Sequence, residues 1–361
     1  MTREVMTQSL TIAIAGDVML GRLVNETIAR KGYSHPWGNL LSVLQEVDLF
    51  LVNLECALTA HTQPWHNGEY KAFYFRAGPS VAETLRIGRV DFASVANNHS
   101  CDFGTVGMGE TVAVLDQASI AHAGAGADLA AASKPVFLSA QGVRVGVVAF
   151  ADYPQEWAAT PTTPGINYTP ISLDPQDFAK VEQALSAARQ KADLVIFSIH
   201  WGPNMSPRPM ELFRQFARQV VDAGADIFWR HSAHVVQGVE VYRGRPILYD
   251  TGDFIDDYAV DELLHNDLSA LFLVKIKPPD TVERVDLVPV FISDMQVNLA
   301  PERERASLIK RLTLLCAEMG TDLETCSEPS ASLRPGLAAS GGAHKVSITV
   351  SQELQGEARK A

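Results

Sequence analysis

Residues 10–17 read LTIAIAGD, a run of apolar and β-branched residues from Leu10 to Ala15 that leads straight into Gly16-Asp17. The run predicts a strand, and its polar end falls where open α/β sheets bind ligands, because loops at the carboxyl ends of strands converge on one crevice. The same construction recurs downstream. Further strands are expected at Asp48 to Val52, Asp91 to Ala96, Val143 to Phe150, Asp193 to Ile199 and Ala225 to Trp229. Their ends deliver Asn53-Leu54-Glu55, Asn97-Asn98-His99, His200-Trp201-Gly202 and Arg230-His231-Ser232-Ala233-His234. Asp152 and Tyr153 follow the fourth strand and are expected to line the same pocket.

Helical patterns separate these strands at Pro79 to Ile87, Thr105 to Ser119 and Gln176 to Lys191, with apolar residues at three- and four-residue spacing. Alternating strands and helices predict a layered α/β fold. After Trp229 the pattern changes to strands without long helices, at Val235 to Val241, Pro246 to Tyr249, Leu268 to Ile276 and Val282 to Phe291. Adjacent runs of this kind predict antiparallel pairing and hence mixed sheets. Pro301 to Met319 reads as one helix. The expected organisation is a main domain over 1–299, a C-terminal helix region over 300–326 and a flexible tail over 327–361, with His344 to Val350 a possible terminal strand.

Composition narrows the partners. The 361 residues carry a net charge of −12, against the basic face that nucleic acid or an anionic membrane usually requires. A small-molecule or short acidic substrate is expected instead. No run reaches the ~18–20 apolar residues of a membrane span, and Met1 to Leu10 lacks signal-peptide order, so the expected location is cytoplasmic. The four cysteines show no CxxC pairing and predict free thiols.

Asp, Glu, Asn and His gathered at the strand ends are the residue types that ligate divalent ions, whereas no strand ends in a glycine-rich phosphate loop. Each residue alone reads more simply as a turn or cap. Their recurrence at one edge of one sheet points to a metal site.

The motifs also resemble those of a known family. Gly16-Asp17-Val18-Met19-Leu20-Gly21-Arg22, Asn53-Leu54-Glu55, Asn97-Asn98-His99-Ser100, His200-Trp201-Gly202 and the stretch His231 to Gly238 occur in the order seen in the CapA family of capsule or poly-γ-glutamate biosynthesis proteins. Phe75-Arg76-Ala77, Gly124-Ala125-Gly126 and Tyr249 to Phe254 extend the likeness. That family resembles the calcineurin-like metallophosphoesterases, which implies a four-layer α/β/β/α sandwich with mixed sheets and two divalent metal ions of the Mn, Fe or Zn kind.

Carried over, the resemblance implies Asp17, Glu55, Asn98, His200, His231 and His234 as metal ligands, with Glu55 bridging. It implies His99, with Asp17 and Glu55, as catalytic. Arg22, Arg76 and Asp253 are the candidates for substrate contact, an arginine being suited to a carboxylate or phosphate. The implied activity is that of a metal-dependent hydrolase or transferase in which a metal-bound hydroxide attacks a phosphoryl or γ-glutamyl-type acyl centre. The alternative is a catalytically degenerate, metal-binding accessory subunit with partners in a polymer-synthesis complex. Met19 stands where calcineurin-type enzymes carry a histidine, and Arg230 adjoins the expected ligand His231.

Overall fold

The computed structural model describes residues 9–68, 70–326 and 347–351. Its main strands, in chain order, begin with β1 (Leu10–Val18), β2 (Leu49–Leu54), β3 (Phe92–Ser94), β4 (Ala121–Ala123), β5 (Val136–Ala140) and β6 (Val143–Ala151). β7 (Leu194–His200), β8 (Ile227–His231), β9 (Val239–Tyr242), β10 (Arg245–Leu248) and β11 (Asp253–Ile255) follow. β12 (Leu268–Lys277), β13 (Thr281–Ser293), β14 (Gln296–Leu299), β15 (Leu323–Cys326) and β16 (Ser347–Ser351) complete them.

The first sheet runs β15-β16-β13-β12-β1-β2-β3-β4, with β11 also paired to β1 and β14 to β13. The second runs β9-β10-β8-β7-β6-β5. Both are mixed: β1 is parallel to β2 but antiparallel to β12, and β7 lies parallel between β6 and β8 while β5 returns antiparallel. Every residue of β1, β2 and β7 is buried, as expected of strands covered on both faces.

The period of two along a strand sorts side chains between layers. In β7, Val195, Phe197 and Ile199 belong to an apolar cluster with the helices α3 (Pro175–Arg189) and α4 (Glu211–Asp222), through Phe178, Val181, Phe216 and Val220. Leu194 and Ile196 belong instead to the cluster shared with the first sheet, where Phe92 meets Trp229 edge-on with ring centroids 6.3 Å apart. That same cluster takes in Val24 and Ile28 of α1 (Arg22–Lys31), Leu85 of Ala82–Ile87, and Leu115 of α2 (Gly104–Gln117). The result is the four-layer α/β/β/α sandwich.

Several boundaries differ from expectation. β8 ends at His231 rather than at Trp229, because its pairing with β7 continues to His200↔His231. The strand expected from Val235 begins at Val239. Just before it, α5 (Glu302–Glu318) packs so closely that a Cβ on Gly238 would lie 2.5 Å from Leu315 O. Among the described residues, two helices of at least 10 residues, α1 and α4, add to the expected set, with short helical turns at Leu41–Leu44 and Leu129–Ala132. At the C-terminal end, Ser347–Ser351 pairs parallel with both β13 and β15, and the rest of the span expected as a tail lies outside the described residues. Cys56, Cys101 and Cys316 are buried free thiols. Among the described residues no helix is long and apolar enough to cross a membrane.

Candidate metal centre

Asp17 lies near the end of β1, level with Asn53 of β2 and Asp253 of β11. This register needs a glycine before it: a Cβ on Gly16 would sit 1.7 Å from Gly252 O. Asn53 Nδ2 donates to Asp17 Oδ1 at 2.7 Å and so fixes the carboxylate. On the facing sheet, His200 and His231 close adjacent parallel strands and share their inner face with Ile196 and Trp229. Their Nδ1 atoms stand 2.9 Å apart, and His231 Nε2 meets Ser198 Oγ at 3.0 Å. His234 follows in a left-handed turn, with φ of 60°, and brings Nδ1 to 3.4 Å from Asp17 Oδ2 and 2.8 Å from Asp253 Oδ1.

Glu55 stands just beyond β2. Its Oε1 lies 3.7 Å from His200 Nε2 and 4.0 Å from His99 Nε2, while Oε2 accepts from Tyr258 Oη at 3.1 Å. His99 Nδ1 meets Asp102 Oδ2 at 2.7 Å, and its ring stacks on Phe75 with centroids 3.9 Å apart. Two groups of ligand atoms fall within 4.8 Å of one another, Asp17 with His200 and His231, and Asp17 with Glu55 and His234. Asp17 is common to both. Asn98 lies beside them on the wall of a cleft of about 480 Å³ shared with Asp152, Tyr153, His200 and Ser232.

The residues fit divalent cations on one physical ground above others. Asp17 Oδ2, Glu55 Oε1, Asn98 Oδ1 and Asp253 Oδ2 are buried oxygens without a hydrogen-bond partner. Such groups are costly unless something else satisfies them. The electrostatics agree. Burial, reinforced by the Asp17 charge, raises the Glu55 carboxyl well above its ordinary value. Burial opposes protonation of His234, yet the carboxylates of Asp253, Glu55 and Asp17 hold its pKa well above the usual one. Burial lowers His200, and it lowers His231 to about 3. For Asp17, burial is outweighed by the His234 imidazole, with Nδ1 3.4 Å from Oδ2, and by the charges of the other histidines, so its carboxyl stays below the usual range. Burial also lowers His99, against the pull of Asp102. The carboxylates draw protons to the cluster, and the two inner imidazoles keep lone pairs.

The remaining expected residues fall as follows. Arg22 is anchored by Asp257 at 3.2 Å and lies over Phe73 and Phe75 at 5.6 and 5.5 Å, half-exposed. Arg76 donates to Thr59 O and covers Phe103. Asp253, expected at the substrate, is fully buried behind His234. Met19 fills the place of a histidine with a buried thioether, whose Sδ lies 3.0 Å from Gly21 N. Arg230 points to the opposite face of β8 from His231, as strand alternation requires, and bonds Trp201 O, Tyr249 O and Gln237. Sequence reasoning did not single out Tyr258 or Asp102. Tyr258 carried no local signal, and Asp102, three residues after His99, could have been found as its orienting carboxylate.

The fold is thus a two-sheet α/β/β/α sandwich whose facing strand ends converge on carboxylates and histidines. The chain belongs to the bacterial capsule synthesis protein PGA_cap family, whose model matches residues 11–258. A probable polyglutamine synthesis accessory protein of Mycobacterium tuberculosis is 30% identical over 363 residues, covering 88% of this chain and 93% of that one. The PGA biosynthesis protein CapA of Bacillus subtilis is 30% identical over 250 residues, 69% of this chain and 63% of its own. Among solved structures, the NAD nucleotidase of Haemophilus influenzae superposes with a TM-score of 0.42 at 11% identity, over 84% of this chain and 55% of that one.

Proposed function

We propose that the protein is a metal-dependent hydrolase or transferase acting on a phosphoryl or γ-glutamyl-type acyl centre. The observation that carries this reading is the set of four unpartnered buried oxygens beside three convergent histidines. Asp17, His200 and His231 would hold one divalent ion of the Mn, Fe or Zn kind. Asp17, Glu55 and His234 would hold a second, with Asn98 at the cleft edge. Asp17 thus takes the shared position that the family resemblance implies for Glu55. When bound, such ions supply Lewis-acid polarisation and lower the pKa of water.

The chain's own residues do the rest. Asn53, Ser198 and Asp253 orient Asp17, His231 and His234, the kind of outer support on which metal affinity depends. Asp102 accepts from His99 Nδ1 and leaves Nε2 as the atom that exchanges a proton with the leaving group. Arg22, braced by Asp257 and two phenylalanine faces, holds a carboxylate or phosphate of the substrate at the mouth.

The second reading, an accessory subunit without turnover, is favoured by Met19, which leaves the group around Glu55 with a single histidine. The name of the mycobacterial relative supports it as well. One experiment decides between them. Protein loaded with Mn²⁺ is assayed for metal content and for activity on phosphoesters and γ-glutamyl amides, beside Glu55→Ala and His200→Ala. Tight metal and turnover, both lost in the variants, are expected. Metal without turnover favours the accessory role, and metal retention by both variants sinks the site.

A further inference from the structure

The loop after β11 reads Asp256-Asp257-Tyr258, and each of its three side chains holds a different part of the molecule. Asp256 Oδ1 accepts the backbone N–H of Tyr258 at 2.8 Å and so turns the loop. Asp257 holds Arg22 and accepts the backbone N–H of Leu23 at 3.0 Å. Tyr258 reaches inward, and its Oη donates to Glu55 Oε2 at 3.1 Å. We propose that Tyr258 is a positioning residue: it tethers Glu55 so that the other carboxylate oxygen serves the cation group of Asp17 and His234, and not the neighbouring group of His200 and His231. The inference rests on the proposed function for the two cation groups and concerns how they are kept apart.

The tether decides a choice that the carboxylate alone leaves open. Glu55 Oε1 has no hydrogen-bond partner and lies 3.7 Å from Nε2 of His200, a ring that belongs to the other group. Among the described residues, the Glu55 carboxylate accepts one hydrogen bond, that of Tyr258. A glutamate side chain turns about three torsions, the last of them broad, so an untethered carboxylate presents either oxygen and is free to swing toward His200. With Oε2 tied, little of that freedom is left to Oε1. The ordering of Glu55 is therefore met during folding, and cation binding does not bear its entropy.

The tether is itself fixed. The Tyr258 ring stacks against Phe75 with centroids 5.6 Å apart and meets His234 edge-on at 5.2 Å. Phe75 in turn stacks on His99. One ring is thus packed between the groups that flank Glu55, and its hydroxyl reaches the carboxylate from a set direction. A phenol donating to a carboxylate makes a charge-assisted bond, the stronger kind.

The test is calorimetric titration of the full, metal-stripped chain with Mn²⁺, with electron paramagnetic resonance of the loaded protein to report paired ions. The parent is expected to take up two ions and to show the signal of a coupled pair. Tyr258→Phe removes the hydroxyl and keeps the ring, so the urea midpoint of the metal-free protein should not move. Its affinity for one ion should fall roughly 10–100-fold while that for the other changes by less than about 2-fold, and the pair signal should weaken at limiting Mn²⁺. Added to Glu55→Ala, the same substitution should lower Mn²⁺ binding no further, because the group through which the hydroxyl acts is gone.

Equal affinities in the parent and Tyr258→Phe overturn the proposal. So does a matched loss at both ions with a lower urea midpoint, which makes Tyr258 a folding residue. A further loss in the Glu55→Ala background, or a parent that takes up a single ion, overturns it as well. The unequal loss without turnover of phosphoesters or γ-glutamyl amides keeps the role of Tyr258 and defeats the enzymatic reading. Turnover with no unequal loss does the reverse.

Discussion

Two charged clusters lie on opposite faces of the strand Ile227–His231, equally buried and differently satisfied. On the outer face, Arg230 donates to Trp201 O, Tyr249 O and Gln237 Oε1, and its Nη1 lies 3.3 Å from Asp250. Asp250 also receives the backbone N–H of Ala233 and of Gly252, each at 2.8 Å, and neither side chain has an unpartnered polar atom. On the inner face, His231 joins carboxylates that keep orphaned oxygens. Burial of charge is thus no sign of function by itself. The closed cluster is satisfied within the chain, and the open one keeps the oxygens that the proposed function gives to a cation.

The largest effect is expected where the clusters meet. Gly16 touches Gly252, whose turn carries Asp250 of one cluster and leads into Asp253 of the other. Gly16→Ala has no room for its methyl beside Gly252 O and should cost about 4 kcal/mol or more, with metal binding lost in whatever remains folded. Urea unfolding with metal analysis checks it, and a variant within about 1 kcal/mol of the parent would show that the seam yields.

The next two substitutions separate the faces. Arg230→Met leaves Asp250 buried without its cation and should destabilise by about 3 kcal/mol, while folded protein at low temperature keeps its metal content. Adding Asp250→Asn should recover part of the loss, as a double-mutant cycle measures. Glu55→Gln reverses the pattern. It relieves burial of charge and repulsion with Asp17 and Asp253, so metal-free stability should change by less than about 1 kcal/mol or rise, whereas metal affinity should fall at least about 100-fold. Calorimetric titration with Mn²⁺ beside urea unfolding of the metal-free protein reads both. A large stability loss in Glu55→Gln would make the inner cluster a second structural network.

The strand ends that supply Asp17, Glu55, Asn98, His200, His231 and His234 were legible because a strand's carboxyl end is marked by an abrupt change from apolar to polar residues. Their convergence follows from the parallel registers Asp17↔Asn53 and His200↔His231. What each polar group bonds was not legible. Arg230 reads in sequence as a threat to the adjacent ligand, and only the alternation of β8 turns it to the other face. Asp253 and Tyr258 reach the centre through β11 and the loop after it, a contact across more than 200 residues of chain that no local pattern encodes. The helix Glu211–Asp222 was legible in principle, since Phe213, Phe216, Ala217, Val220 and Val221 keep helical spacing and are all buried.

The smallest effect belongs to a carboxylate between the two clusters. Asp152 lines the cleft and accepts the backbone N–H of Gly202 at 3.1 Å. Burial raises its pKa to about 6, against the opposing influence of that hydrogen bond and of the Arg230 charge. The unfolded chain ionises this group near pH ~3.9, so between that value and about 6 the folded state binds more protons than the unfolded one. Stability from this group is therefore full below the lower value and is lost as pH rises through the upper one. Asp152→Asn removes the term, and the difference between parent and variant should drift in the variant's favour by at most about 2 kcal/mol from pH 4 to 7. Urea unfolding of both metal-free proteins across that range measures the drift. A flat difference would mean that Arg230 extends its charge compensation through the strand to the cleft, and that the two clusters are electrostatically one.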